Sequence, residues 1–267
     1  MLKRCIERGL LMSKDTIVFI YEGEDTEKKI LDNLHSNFFE FPIQHKYIFL
    51  PFKTDIYELW KKLQKDNYET DIIDLLMEKD NTIKTEVELV GKKSISEIYL
   101  FFDYDGHATC ADDEIIREML ETFNNETDYG KLYISYPMVE SVKDLKKNDK
   151  CNRRCSVLAK SNIGYKELVG DDTDFQNLKR LCVSDWHLII KHYISKSNCI
   201  IKSTVDCDVE SFKLPKYCDF IEKTNQSAIF ENQFIKFIQP RNEVAVLSCF
   251  PFFLIDYLGE NLYNDLT

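Results

Sequence analysis

The chain lacks any CxxC pair, and its nine cysteines are scattered along 267 residues. The closest two, Cys151 and Cys155, have three residues between them. A zinc site needs two close pairs, or histidines at matching spacing, and the five histidines do not provide them. Scattered reduced thiols fit a cytoplasmic protein. Long hydrophobic runs are missing as well. "VAVLSCFPFFLIDYL", Val244 to Leu258, contains Pro251 and Asp256 and falls short of a membrane span, so no membrane partner is expected. The opening "MLKRCIERGLLMSKD" has neither the hydrophobic region nor the small-residue cleavage site of a signal peptide. Internal repeats and low-complexity tracts are absent. Positive charge is in deficit, with a formal net charge of −11, which argues against non-specific nucleic-acid binding through a broad basic face. It leaves open an enzyme acting on nucleic acid, with divalent ions neutralising a carboxylate-rich site or a basic companion subunit supplying the grip.

What is present is enough apolar content, 44%, for a sizeable core in one large domain or two modest ones. "TIVFIY", Thr16 to Tyr21, has the β-branched and aromatic run of a strand buried on both faces. After the turn "EGED", Ile30, Leu31 and Leu34 recur on one side of a helix. "HKYIFLPF" reads as a second strand, "TDIYELWKKLQ" as a helix capped by Thr54, and "NYETDIIDLLMEKD" continues in helical period. "SEIYLFFDYD" is a third strand. Ile115, Ile116, Met119, Leu120 and Phe123 then mark a helix, with Asp112, Asp113 and Glu114 in its first turn. "KLYISYP" is a fourth strand, ended by Pro137. Strands alternating with helices predict an α/β fold: a mostly parallel sheet flanked by helices, followed by a mainly helical C-terminal region. The division falls at residues 15–145 and 146–267. Between them runs the basic stretch "KDLKKNDKCNRRCSVLAKSN", which reads as a loop or linker.

In such sheets functional groups gather where strands end. Glu22 and Glu24 follow the first strand, Asp103 and Asp105 the third, and Glu140 the fourth. Taken alone, Asp103 fits a strand-end turn and Asp105-Gly106 a common turn dipeptide. Glu27 reads as a first-turn helix carboxylate. Taken together, carboxylates from three strands on one edge suit a hard divalent cation, which takes oxygen ligands and relieves their mutual repulsion.

"IVFIYEGEDTE", followed about eighty residues later by "IYLFFDYDGH", resembles the Toprim domain, in which one strand ends in Glu-Gly and a later one in Asp-x-Asp. "EGEDTE" and "SYPMVES" also resemble segments of the OLD-like and RloB-like phage-defence nucleases. The resemblance covers roughly residues 15–145. It implies Mg²⁺ or Mn²⁺ bound by Asp103 and Asp105, with Glu22 as a further ligand or general acid/base and Glu140 as a second-metal ligand. It further implies a metal-dependent endonuclease cutting RNA (tRNA included) or DNA, as a bacterial antiphage effector. The chain departs from the family in a longer interval between the motifs, assigned to helices between Thr54 and Asp80. It also has no primase zinc segment and no GxxxxGK[ST] motif, so the ATPase would be a separate partner protein.

Around this core, His107 is either a phosphate- or water-contacting residue or a turn histidine. Lys143, Lys146, Arg153 and Arg154, in the basic stretch that starts on the carboxylate edge, are either backbone-phosphate contacts or an exposed polar loop. On "SDWHLIIKHYISK", Trp186 and Ile190 are spaced as core residues, and His187 with Lys191 forms another face, open to phosphate or solvent. The cysteines have no distinctive Cys-His context for a nucleophile. Two other functions stay open: a non-catalytic Toprim-like binding subunit, and a receiver-type phosphate-transfer domain. A receiver needs its acidic pair on the first strand, whereas here the Asp pair comes late. Homo-oligomerisation is also left open.

Overall fold

The computed structural model describes residues 15–39, 45–65, 70–147, 154–170, 173–202 and 212–266. Its centre is a five-stranded sheet of order β2-β1-β3-β5-β4, built from β1 (Thr16–Tyr21), β2 (Lys46–Pro51), β3 (Ile95–Asp103), β4 (Asn124–Asn125) and β5 (Gly130–Ser135). All pairings are parallel except the short β4 against β5. The β-branched run of β1 explains its central place, since every residue of the strand is buried.

Side chains alternate between the two faces of a strand, and this sorts the aromatic residues. Phe19, Tyr99, Phe101 and Tyr133 share one face, where Phe253 lies with ring centroids 5.6, 5.1, 5.1 and 5.6 Å from theirs. On the other face Phe102 meets Phe52 at 5.9 Å. The crossovers are α1 (Thr26–Leu34), α2 (Ile56–Lys65), α3 (Ile72–Lys79), α4 (Asn81–Val90) and α5 (Asp113–Thr122). Ile30, Leu31 and Leu34 are the buried side of α1, as their spacing predicts. Asp55, not Thr54, caps α2: its carboxylate accepts from the Glu58 N–H at 2.9 Å. A carboxylate serves the exposed first-turn amides as well as a hydroxyl does and also suits the helix dipole.

Beyond β5 the chain forms a 3₁₀ turn (Val139–Lys143), then β6 (Ser156–Leu158), α6 (Tyr165–Val169), α7 (Val183–Lys202), α8 (Tyr217–Lys223), α9 (Gln226–Gln233), β7 (Glu243–Ala245) and α10 (Phe250–Asp265), which is kinked at Gly259. This region is mainly helical, but the stretch that reads as a linker includes a strand. β6 pairs antiparallel with β7, and Tyr136 exchanges two backbone hydrogen bonds of 2.8 Å with Leu247. Non-local pairing of this kind leaves no periodic mark in a three-residue strand. Phe250 and Phe253 of α10 close one sheet face, so a single hydrophobic core runs through both halves of the chain. Trp186 and Ile190 of α7 are fully buried, as their four-residue spacing predicts. No described helix is long and apolar enough to cross a membrane.

A candidate carboxylate centre at the strand ends

Strand register builds the centre. Tyr21 lies opposite Phe101, and Asp103 opposite Ser135, so Glu22 leaves β1 alongside the last residues of β3. The Glu22 N–H donates to the Phe101 carbonyl at 3.1 Å, and the Glu22 carboxylate accepts from the Asp103 N–H at 3.0 Å. Two residues named from separate strands are thus joined directly. Next to Glu22, the Gly23 N–H donates to the Glu27 carboxylate at 3.0 Å. A Cβ on Gly23 would stand 2.7 Å from that same carboxylate, so glycine is what lets Glu27 fold back over the turn.

Asp105 has φ +42°, a left-handed conformation that aspartate tolerates better than most residues, and its carbonyl accepts from the Ala108 N–H at 2.8 Å. The Asp-Gly pair is therefore a turn, and the turn carries a carboxylate into the centre; the two readings of this dipeptide are compatible. Gly106 packs tightly, with a Cβ there 2.4 Å from the Tyr104 ring and 2.8 Å from the Ala159 carbonyl. His107 Nδ1 is 3.9 Å from Asp105 Oδ1 at a half-exposed position. Glu140 sits in the 3₁₀ turn after β5, buried to 2% exposure, and its Oε2 has no hydrogen-bond partner. Lys166 of α6 has its Nζ 3.9 Å from Oε1.

Packing acids together out of water raises their affinity for protons. Burial pushes Glu22 up to about 8, the Asp105 charge adds to it, and the Asp103 N–H partly opposes it. Asp103 is pushed well above the ordinary carboxylate range, first by burial and then by Glu22, with Glu27, Asp105 and Glu140 contributing. Asp105 rises through burial, opposed by His107, with Asp55 and Glu140 adding to the rise. Glu27 also rises through burial, opposed by the amides it accepts from. Six carboxylates, those of Glu22, Glu27, Asp55, Asp103, Asp105 and Glu140, thus feel one another on one edge of the sheet.

The other residues named from sequence lie differently. Glu24 turns outward to Lys53 at 3.2 Å. Arg154 is engaged inside the fold: its guanidinium pairs with the buried Asp144 at 2.6 Å and donates to the Leu168 carbonyl at 2.5 Å. Lys143, the last residue of the 3₁₀ turn, and Lys146 beyond it are half-buried, and Arg153 lies outside the described residues. His187 and Lys191 are half-buried on α7. Glu27, Asp55 and Lys166 belong to the centre without having been singled out for it. For Glu27 the signal was present in "EGEDTE"; for Asp55 and Lys166, which come from a cap and from a distant short helix, there was none.

The donor set is all oxygen, which suits Mg²⁺ or Mn²⁺, and a buried carboxylate oxygen with no partner is the kind of atom such an ion would satisfy. Among the described residues, no three His, Cys, Asp or Glu side chains stand as a finished metal-gripping group. No family model, curated protein or solved structure matches the chain.

Proposed function

We propose that the chain is a Toprim-like, metal-dependent endonuclease that hydrolyses phosphodiester bonds in RNA or DNA. The observation that carries this reading is the Glu22–Asp103 hydrogen bond across two parallel strands, flanked by Asp105, Glu27 and the unpartnered Glu140 oxygen. Asp103 and Asp105 would hold Mg²⁺ or Mn²⁺, with Glu22 as a further ligand or as general acid/base and Glu140 at a second position. Bound there, such an ion supplies a lowered pKa for water and charge neutralisation on a phosphate. Glu22, held by burial close to neutrality, can take a proton at its carboxylate and return it. The Asp103 N–H fixes the direction in which that carboxylate points. Lys166 and His107 stand at the margin of the acids, where a phosphate would approach.

The biological setting supported by the motif resemblance is antiphage defence in the cytoplasm, with a separate ATPase controlling the nuclease. A second reading is a non-catalytic Toprim-like binding subunit of such a complex; among the described residues no three His, Cys, Asp or Glu side chains stand as a finished metal-gripping group. Labelled tRNA, single-stranded RNA and plasmid DNA, incubated with Mn²⁺ or Mg²⁺, separate the two. Cleavage by the wild type, lost in Asp103→Asn, supports the nuclease. If the ATPase-bound wild type cuts none of them, the binding subunit replaces it.

A further inference from the structure

Beside the carboxylate edge lies a cleft of about 160 Å³, and it draws its two walls from different halves of the chain. One wall is the Asp105–His107 turn with Pro137 and Met138; the other is the segment from Leu158 to Glu167. The walls are fixed against each other, because Gly106 leaves no room for a side chain beneath the Ala159 carbonyl. The cleft is continuous with the carboxylates through Asp105, and through Lys166, which lines it and reaches to 3.9 Å from Glu140.

Its size and lining indicate a class of occupant. Cavities of about 150 Å³ accept a single benzene-sized ring. Met138 and the half-exposed Leu158 offer apolar faces for a flat ring. Asn162 uses its Oδ1 to accept the Gly164 N–H at 3.1 Å, which leaves its amide NH₂ as a donor for a ring carbonyl. Lys166 is 65% exposed on the rim, long enough and mobile enough to meet a phosphate.

Resting on the nuclease reading above, we propose that this cleft seats one base of a single-stranded stretch of nucleic acid, with Lys166 holding the adjoining phosphate. A base still paired in a duplex is stacked between neighbours and cannot enter a one-ring cleft without being flipped out, at the cost of its stacking and pairing. An unpaired strand presents its bases free of that cost. The substrate segment is therefore a loop, an overhang or a single strand. Lys166 supplies the positive charge that the acidic edge lacks where the backbone passes.

The test is fluorescence anisotropy with a labelled oligouridine strand and the same strand in duplex, in Ca²⁺, using wild type, Lys166→Ala, Lys166→Arg and Leu158→Ala. The single strand is expected to bind at least about tenfold tighter than the duplex. Lys166→Ala is expected to weaken it about tenfold and lower the salt slope by about one, with Lys166→Arg near wild type. Leu158→Ala weakens the single strand alone. Equal affinity for the two probes, binding of neither, or a Lys166→Ala protein with unchanged affinity and salt slope would overturn the proposal. Cutting is scored separately in Mn²⁺ with the ATPase partner bound: single-strand preference without cutting removes the nuclease reading, and cutting without single-strand preference removes this one.

Discussion

Replacing Glu22 by glutamine tests the electrostatics of the centre without disturbing its shape. The amide oxygen can still accept from the Asp103 N–H, while the charge is gone. In the folded chain Glu22 holds its proton up to about pH 8, against an ordinary value of 4.5. Below 4.5 it is protonated folded or unfolded and exerts no pH effect. As the pH climbs from 4.5 towards 8 the unfolded chain ionises and the folded chain does not, so stability falls with rising pH. From 4.5 to 7, at about 1.4 kcal/mol per pH unit, the loss is about 3 kcal/mol. For a chain of this size that is a Tm change of roughly 6 to 12 °C. In EDTA, the wild type is therefore expected to melt well below Glu22→Gln at pH 8, and the gap closes near pH 5. Mn²⁺ at pH 8 should raise the wild-type Tm more than that of the variant, because it relieves a repulsion the variant has already lost. The assay is thermal unfolding by circular dichroism at several pH values, with and without Mn²⁺. Parallel pH slopes for the two proteins in EDTA would refute the reasoning.

Arg154→Ala strands the fully buried Asp144 carboxylate, which among the described residues retains only the Tyr165 hydroxyl, and should cost about 3 to 5 kcal/mol by urea denaturation. A fully stable variant that binds oligonucleotide less well would instead make Arg154 a phosphate contact. Gly106→Ala forces apart the Tyr104 ring and the Ala159 carbonyl, at about 1 to 3 kcal/mol in unfolding, and should lower single-strand binding along with Tm. Phe253→Ala empties the space between four sheet aromatics and should cost about 3 to 5 kcal/mol. Its urea unfolding should remain a single transition; a separate early transition of the C-terminal helices would show that the two halves do not share one core.

The parallel sheet was legible because β1 and β3 are long apolar runs that end sharply in acids, and such runs have few other homes. The meeting of Glu22 with Asp103 was legible for the same reason, since parallel neighbours deliver their strand ends to one edge. The β6–β7 pair was not, because each strand has three residues and its partner lies nearly ninety positions away. Nor could periodicity show that Arg154 turns inward, since the residue that takes its charge, Asp144, belongs to the same polar stretch and reads as solvated with it. Lys166 was hidden in a different way. Nothing in "GYKELVG" marks a site, and its nearness to Glu140 exists only because the segment after β6 returns to the mouth of the sheet.

That return bears on how an acidic protein could handle an anionic polymer. The net charge is −11, and the six carboxylates of the centre all sit on the edge where the polymer would have to come. A basic surface cannot be the attraction. Arg154 is bound to the buried Asp144, and Lys147 is paired with Asp185 at the surface, so both charges are already engaged. Lys166 is within reach of Glu140, and it rides on a wall supplied by the C-terminal region. The centre thus has carboxylates from one half of the chain and its marginal cation from the other.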